Sequence, residues 1–318
     1  MARTTGNLST LGKHFGDEDA ARELLEGLRW PDGPVCPHCG GTNPYTLKAR
    51  PTSKRPGRKG LYKCRAKACR KQFTVTVGTI FEDSHIPISK WLLAIHLLAA
   101  SKKGMSAHQL HRMLGVTYRA AWFIGHRLRH AMTQEPMQLD GIVEVDETYI
   151  GGPRRRRTGR PGPNDGVKTP VIALVERGGR VRAYPLDRVT GNNVQDVIRR
   201  EVSLNAHMMT DDLNVYHPLS MGFRKHDTIV HSKKEYVRGN VHTDTVEGFF
   251  GLLKRGIVGS FHHVSKGHLA RYCDEFSFRY NSRKVTDGER AALVVAGAEG
   301  KRLTYRQPSM ALGNGPSA

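Results

Sequence analysis

The sequence predicts an α/β protein in which a small ribbon and a helix-turn-helix precede a mixed sheet with helices on its faces. Three observations support this prediction. Two close pairs of cysteines occur early in the chain, capped helical segments follow them, and strand-like runs alternate with helical runs from about residue 139. The order of these later runs is strand, strand, strand, helix, strand, helix, which is typical of a mixed sheet covered by helices.

The length and charge of the chain restrict its partners. With 318 residues, roughly two domains are expected. The 50 Lys and Arg residues exceed the 29 Asp and Glu residues and give a net charge of +21, which favours nucleic acid as the partner. An apolar stretch of the roughly 20 residues that a membrane span needs is not found, nor is a signal-peptide core. We therefore expect a soluble, cytoplasmic, DNA-associated protein.

The first segment predicts a lead-in helix over residues 17–30 and then a zinc ribbon. Two thiolate pairs on facing turns match the tetrahedral geometry that zinc prefers, and in so small a ribbon the metal contributes folding energy. Residues 73–77 alternate in a strand-like pattern that would close the ribbon. A fifth cysteine, Cys273, lies in a predicted helix and is interpreted as a buried thiol. The four predicted ligands of one structural Zn²⁺ are Cys36, Cys39, Cys64 and Cys69.

A helix is predicted over residues 88–101, and the segment that follows it has the pattern of a helix-turn-helix. Ser106 and Thr117 can each cap a helix, and Gly115 permits the turn between the two helices. An αα-hairpin that packs on the next domain is the alternative interpretation. The second helix would present polar and aromatic groups to a major groove and its phosphates, namely Tyr118, Arg119, Trp122, His126, Arg127 and Arg129.

A run of arginines lies between the first and second strand-like segments of the predicted sheet. It is either a solvated loop or, beside a carboxylate site, a set of contacts to DNA phosphates. The arginines in question are Arg154, Arg155, Arg156 and Arg157.

Three acids are the candidate catalytic groups, because each is placed where a strand ends or a helix begins. Asp146 ends the strand-like run from residue 141, with Glu144 on the same face as a rival ligand. Asp211 ends the run over residues 206–210. Such strand ends are where open sheets build their sites. Converging carboxylates bind hard cations such as Mg²⁺ or Mn²⁺, and two of these can drive in-line displacement at phosphorus.

The third acid lies in a segment with helical spacing of its apolar residues. Asp244 and Glu247 are one turn apart, and either carboxylate can face the sheet. Glu247 is the preferred ligand because of its longer reach, and Asp244 remains the alternative. Lys254 lies two turns beyond Glu247 on the same face, where its ammonium can hold a substrate phosphate.

These residues also carry a resemblance to a known family. The motifs CPHCG, VEVDETYIGG, MTDDLNVY and HTDTVEGFFGLLKRG, with the segment that follows the last of them, resemble insertion-sequence transposases that join a zinc ribbon to a DDE domain, relatives of the Merlin transposons. The resemblance covers most of residues 20–306. It implies an RNase H-like catalytic fold and two divalent cations per active site. It also implies a DDE triad formed by Asp146, Asp211 and Glu247.

The domain boundaries and the function follow as expectations. We expect a lead-in at 1–30, a zinc ribbon at 31–83, a helix-turn-helix at 84–138, an RNase H-like domain at 139–306 and a disordered tail at 307–318. The expected function is a DNA transposase that acts on the terminal inverted repeats of a mobile element and on target DNA, as a homo-oligomer. The alternatives are a two-metal nuclease without strand transfer and a catalytically inactive DNA-binding regulator.

Overall fold

The computed structural model describes residues 12, 15–47, 59–151, 168–230 and 237–304. The chain divides into two compact units. The first comprises residues 1–132 together with 285–306, and the second comprises residues 133–284 together with the C-terminal end. In the part of the chain that the structure describes, no helix combines the length and the apolar character needed to cross a membrane.

The first unit begins with a capped helix and a three-stranded ribbon. Helix α1 starts after Asp17, whose carboxylate accepts the backbone N–H groups of Asp19 and Ala20. Antiparallel strands β1, β2 and β3 follow in spatial order. The bounds are α1 (Glu18–Arg29), β1 (Tyr45–Thr46), β2 (Tyr62–Lys63) and β3 (Gln72–Phe73).

The strand predicted over residues 73–77 is wrong beyond Phe73, where the chain forms turns. The backbone groups there bond to side chains and turns instead of a further strand. The Val75 carbonyl accepts from the Arg29 guanidinium at 2.6 Å, and the Thr76 carbonyl accepts from the Thr79 hydroxyl at 2.6 Å. The alternation of apolar and polar residues in this segment therefore reflects side chains that are buried from a turn and not from a strand.

After the ribbon, the described part of the first unit contains four helices, and the last of them comes from near the C-terminal end of the chain. Ser106 and Thr117 cap α3 and α4 as predicted, and Gly115 adopts the left-handed conformation between them. Helix α8 packs against α1, α2 and α4, so residues 285–304 belong to this unit and not to the sheet. The bounds are α2 (Ile88–Ala100), α3 (Ala107–Leu114), α4 (Tyr118–Ala131) and α8 (Asp287–Ala296).

The second unit is a five-stranded mixed sheet, in the order β6-β5-β4-β7-β8. Strands β4, β5 and β6 pair antiparallel, whereas β7 and β8 run parallel to β4. The predicted mixed α/β architecture is confirmed. The bounds are β4 (Ile142–Ile150), β5 (Thr169–Glu176), β6 (Val181–Pro185), β7 (His207–Asp211) and β8 (Lys225–Ile229).

Helices cover both faces of this sheet. Successive side chains of a strand point to opposite faces, and β4 carries apolar side chains on both of them. Val143 and Val145 face the core formed with α5 and a 3₁₀ helix. Ile150 faces the opposite core, formed with α6 and α7, in which Cys273 is fully buried. The bounds are α5 (Gly191–Glu201), the 3₁₀ helix (Asn214–Met221), α6 (Asp244–Gly256) and α7 (Leu269–Asn281).

Candidate active site

Two of the predicted acids lie where neighbouring parallel strands separate. The pairing of β4 with β7 runs from Ile142 opposite His207 to Glu144 opposite Met209 and then stops. Asp146 and Asp211 each lie two residues beyond this last pair, so they face each other across the opening crevice. Crevices at the carboxyl ends of parallel strands are common ligand sites in open sheets.

The cluster in this crevice contains an acid that the sequence reasoning missed. One ligand oxygen each of Asp146, Glu147 and Asp211 lies within 4.8 Å of the others. Oxygens that share one Mg²⁺ at roughly 2.1 Å are at most about 4.2 Å apart, and a second ion extends the range. Glu247 does not join this mutual set. The donor set consists of hard carboxylate oxygens and fits divalent cations such as Mg²⁺ or Mn²⁺.

The electrostatics of Asp146 reflect its crowded surroundings. Burial is the first cause that raises the pKa of Asp146 to about 7, against a lowering by the backbone N–H of Glu147 at 2.7 Å. The carboxylates of Glu147, Asp211 and Glu247 add to the increase. Burial also raises the pKa of Glu147, whose carboxylate accepts a hydrogen bond from the Tyr216 hydroxyl at 2.5 Å.

Helix α6 carries both candidates for the third predicted acid. Glu247 acts electrostatically on Asp146, and its carboxylate accepts a hydrogen bond from the Thr243 hydroxyl at 3.2 Å. The Asp244 carboxylate lies 3.6 Å from His242 Nδ1 instead, and its side chain is 66% exposed. Lys254 is exposed in the last turn of α6.

Glu144 is a structural anchor in this fold. Its carboxylate is fully buried and accepts the backbone N–H groups of Thr245 and Val246 at 2.8 and 3.1 Å, at the start of α6. It also forms an ion pair with Arg177, whose Nε lies 2.5 Å from Oε1. All of this carboxylate's visible partners are protein donors, so its role is to dock α6 onto β4.

Arg177 is a second anchor that sequence reasoning missed. Its guanidinium donates to the carbonyls of Asn240 and His242 at 2.7 and 2.9 Å. It thereby holds the segment before α6 against the end of β5. The only sequence signal was an arginine directly after a strand-like run, which is too common to identify an anchor.

The four predicted zinc ligands come together in the first unit. Their sulfurs all lie within 4.8 Å of one another, with Cys36 Sγ 3.8 Å from Cys69 Sγ and Cys39 Sγ 3.5 Å from Cys64 Sγ. Zn–S bonds of about 2.3 Å in a tetrahedron place sulfurs roughly 3.8 Å apart. The cluster therefore fits one structural Zn²⁺.

The predicted DNA-contacting helix α4 divides into an exposed first turn and a buried remainder. Tyr118 and Arg119 are exposed, and Trp122 is half-buried against His126. The expectation that His126, Arg127 and Arg129 are presented to DNA needs correction, because all three are buried.

Arg127 shows the physical reason for this correction. Its guanidinium donates to the carbonyls of Leu303, Ile80 and Glu82 at 3.1, 2.7 and 3.0 Å. These bonds satisfy the buried charge within the first unit, so the guanidinium has no access to a phosphate. The run Arg154, Arg155, Arg156 and Arg157 lies outside the described residues.

The fold and its two sites define a class of protein: a mixed α/β domain with a carboxylate cluster, preceded in the chain by a four-cysteine ribbon. Residues 138–281 match the family described as ISXO2-like transposase domain, and residues 16–72 match the transposase zinc-ribbon domain. Along the chain, a match to a transposase zinc ribbon is thus followed by a match to a transposase domain.

Similar proteins include a relative encoded in a mobile element. An uncharacterized protein in transposable element ISH50 of Halobacterium salinarum is 29% identical over 284 residues, which cover 84% of this chain and 92% of that protein.

Two solved structures are also similar. A chain of the simian T-cell lymphotropic virus intasome, solved in complex with the PP2A regulatory subunit B56 gamma, is 15% identical with a TM-score of 0.28, and the match covers 58% of this chain and 65% of that chain. The Mos1 strand transfer complex is 15% identical with a TM-score of 0.23, and the match covers 65% of this chain and 78% of that one.

Proposed function

We propose that this transposase cuts the ends of its mobile element and joins them to target DNA, using Asp146, Asp211 and Glu247 as the ligands of two divalent cations. The observation that carries the proposal is the meeting of Asp146 and Asp211 at the point where β4 and β7 separate, within a transposase domain. The electrostatic effect of Glu247 on Asp146 supports the inclusion of the third acid.

The residues have distinct roles in this proposal. When held there, Mg²⁺ or Mn²⁺ would supply activation of an attacking oxygen and stabilisation of a leaving oxygen for in-line displacement at phosphorus. Asp146, Asp211 and Glu247 would together hold the cations, since both of the other acids act electrostatically on Asp146. Asp244, one helical turn before Glu247 on α6, is the alternative third ligand. Lys254, two turns further along the helix, holds a substrate phosphate by its ammonium.

The chemistry proceeds in two displacements that balance without a further reactant. In the first, a water oxygen bonds to phosphorus at the element end and the bond from phosphorus to the 3′-oxygen breaks. Solvent takes the proton that the attacking water loses and returns one to the 3′-oxygen, which leaves a 3′-hydroxyl and a 5′-phosphate. In the second, the freed 3′-hydroxyl attacks a target phosphodiester, so that one phosphodiester bond forms as another breaks. A covalent enzyme intermediate is not needed, which agrees with the choice of carboxylates in place of a nucleophile.

DNA binding is assigned to the basic first unit and to the arginine run. Tyr118, Arg119 and Trp122 lie at the exposed start of α4, where a helix N-terminus reads a major groove in helix-turn-helix proteins. Arg154, Arg155, Arg156 and Arg157 are proposed to contact backbone phosphates, supported by the net charge of +21. Joining two ends at one target requires the chain to act as at least a dimer on DNA.

Strand transfer in vitro tests the proposal. The substrate is a duplex that carries the inverted repeat flanking the coding sequence, with a supercoiled plasmid as target and Mg²⁺ or Mn²⁺ in the buffer. We expect cleaved ends and joined products from the wild type and none from Asp146→Asn. The matched control is Asp196→Asn, which removes the same charge from an exposed position on α5 and leaves activity unchanged.

Three results would contradict the proposal. Hydrolysis products from a correct end substrate, without any joined product, would favour a nuclease that lacks strand transfer. If the Asp146→Asn protein joins strands at the wild-type rate, the carboxylate of Asp146 is not needed for the reaction. Specific end binding without any cleavage by the wild type would favour a DNA-binding regulator.

A further inference from the structure

The position of Glu147 differs from what a flat strand would give. Side chains of consecutive residues on a strand point to opposite faces, so Asp146 and Glu147 should diverge. In this fold the Asp146 carboxylate bends back and accepts the backbone N–H of Glu147 at 2.7 Å. As a result, an oxygen from each side chain lies within 4.8 Å of the other and of Asp211.

The second observation concerns the charge of this pair. Among the described residues, no Lys, Arg or His forms an ion pair with Asp146 or Glu147. Glu144, the preceding acid on the same strand, is in contrast neutralised by Arg177 and by the N-terminus of α6. A partly buried carboxylate needs compensation for its charge, and beside Glu147 the described residues supply only the Tyr216 hydroxyl, so the cluster is suited to a bound cation.

Tyr216 fixes the orientation of Glu147. The ring is fully buried in the core beneath β4, and its hydroxyl donates to Glu147 Oε2 at 2.5 Å. Tyr216 lies in the 3₁₀ helix that begins three residues after Asp211, and the Leu213 N–H at the start of this segment donates to Asp211 Oδ1, so the same segment positions two of the clustered acids. Ligating carboxylates are commonly held in this way by a hydrogen bond on one oxygen, which leaves the other oxygen for the metal.

We propose that Glu147 is a fourth carboxylate ligand of the active-site cations, oriented by Tyr216. This inference rests on the proposed function, because it assigns a ligand to the same site. Three carboxylates offer at most six oxygens, whereas two octahedral ions have about twelve positions to fill with protein, water and substrate oxygens. A fourth carboxylate also brings the ligand charge to that of two divalent cations.

Binding of Mn²⁺ to the full-length protein without DNA tests this role independently of activity. Free Mn²⁺ is measured by electron paramagnetic resonance during titration of the zinc-loaded protein. We expect Glu147→Gln to weaken Mn²⁺ binding about tenfold or more, and Tyr216→Phe to weaken it by about tenfold, as is usual for the loss of a group that orients a ligand. Asp196→Asn, on the outer surface of α5, should bind Mn²⁺ as the wild type does.

The outcomes separate this inference from the proposed function. Wild-type Mn²⁺ binding by Glu147→Gln, together with loss of binding in Asp146→Asn, would show that Glu147 serves only as an acceptor for Tyr216. Wild-type binding by both variants would overturn the metal site itself. Glutamine at position 147 retains an oxygen that accepts from Tyr216. Glu147→Asp provides a second variant, which keeps the charge but shortens the side chain by one methylene. We expect Glu147→Asp also to weaken Mn²⁺ binding, and an unchanged affinity for Mn²⁺ would contradict the inference.

Discussion

Glu144 Oε2 lies 2.8 Å from the backbone nitrogen of Thr245, and this contact joins the strand that carries Asp146 to the helix that carries Glu247. A buried carboxylate at a helix N-terminus is stabilised by the free N–H groups and by the helix dipole. The spacing of the candidate acids therefore depends on a residue outside the cluster of Asp146, Glu147 and Asp211.

Replacement of Glu144 should loosen α6 from the sheet. Glu144→Ala leaves Arg177 and the first N–H groups of α6 without their partner, and we expect a loss of about 3 kcal/mol in the free energy of unfolding of the second unit. Hydrogen exchange of peptides that cover the start of α6 measures this effect. The control is Asp140→Asn, an exposed acid just before β4. Unchanged protection at Thr245 and Val246 would contradict the anchoring role.

The raised pKa of Asp146 predicts a pH dependence of stability in buffer without added divalent metal. The carboxyl holds its proton in the folded protein up to about pH 7 but loses it near pH 4 when unfolded. Stability is therefore lost as the pH rises between these two values. Between pH 5 and pH 8 this group should lower the free energy of unfolding of the second unit by on the order of 2 to 3 kcal/mol.

Asp146→Asn should remove this pH dependence, because an amide does not titrate. Hydrogen exchange of peptides from β4 and β7 is the suitable measurement, since Trp30, Trp91 and Trp122 all lie in the first unit. An Asp146→Asn protein whose stability falls with pH as steeply as that of the wild type would show that the titration belongs to another group.

The sequence predicted the local features well. The caps at Ser106 and Thr117 need only their own helices, and the cysteine pairs need only their turns. Strands β4, β5, β6 and β7 carry clear apolar runs. Strand β8, with the sequence KHDTI at the edge of the sheet, lacks such a run and was not predicted.

Features that depend on distant partners could not be read from the sequence. Arg127 is buried because it finds carbonyls at Leu303 and Ile80, and periodicity alone cannot reveal that pairing. Glu147 was missed because alternation assigns it to the face opposite Asp146. Helix α8 was assigned to the sheet domain, since nothing local indicates that it packs against α2.

Loss of zinc should unfold the ribbon. Cys39→Ser removes one of the four sulfurs, and we expect the ratio of zinc to protein to fall from one toward zero by atomic absorption. Tryptophan fluorescence should change as well, because Trp30 packs edge-on against Tyr62 and Phe73. Cys273→Ala, in the core of the second unit, is the control and should retain zinc. Full zinc content in Cys39→Ser would refute the assignment of this ligand.

Arg119 and Arg127 should separate DNA binding from folding. Arg119→Gln, at the exposed start of α4, should weaken DNA binding and reduce the slope of log affinity against log salt by about 1, with stability changed by less than about 0.5 kcal/mol. Arg127→Gln should instead lower the free energy of unfolding of the first unit by about 2 to 3 kcal/mol, because carbonyls in the interior lose a charged donor. The reverse pattern would restore Arg127 as a DNA contact.

Anomalous diffraction from crystals soaked in Mn²⁺ tests most directly whether the carboxylates gathered at β4, β7 and α6 hold divalent cations. We predict anomalous peaks within about 2.4 Å of the carboxylate oxygens of Asp146 and Asp211, about 3.5 to 4 Å apart when two ions are bound. Peaks confined to other parts of the protein, with the Asp146 carboxylate contacting only water, would contradict the account.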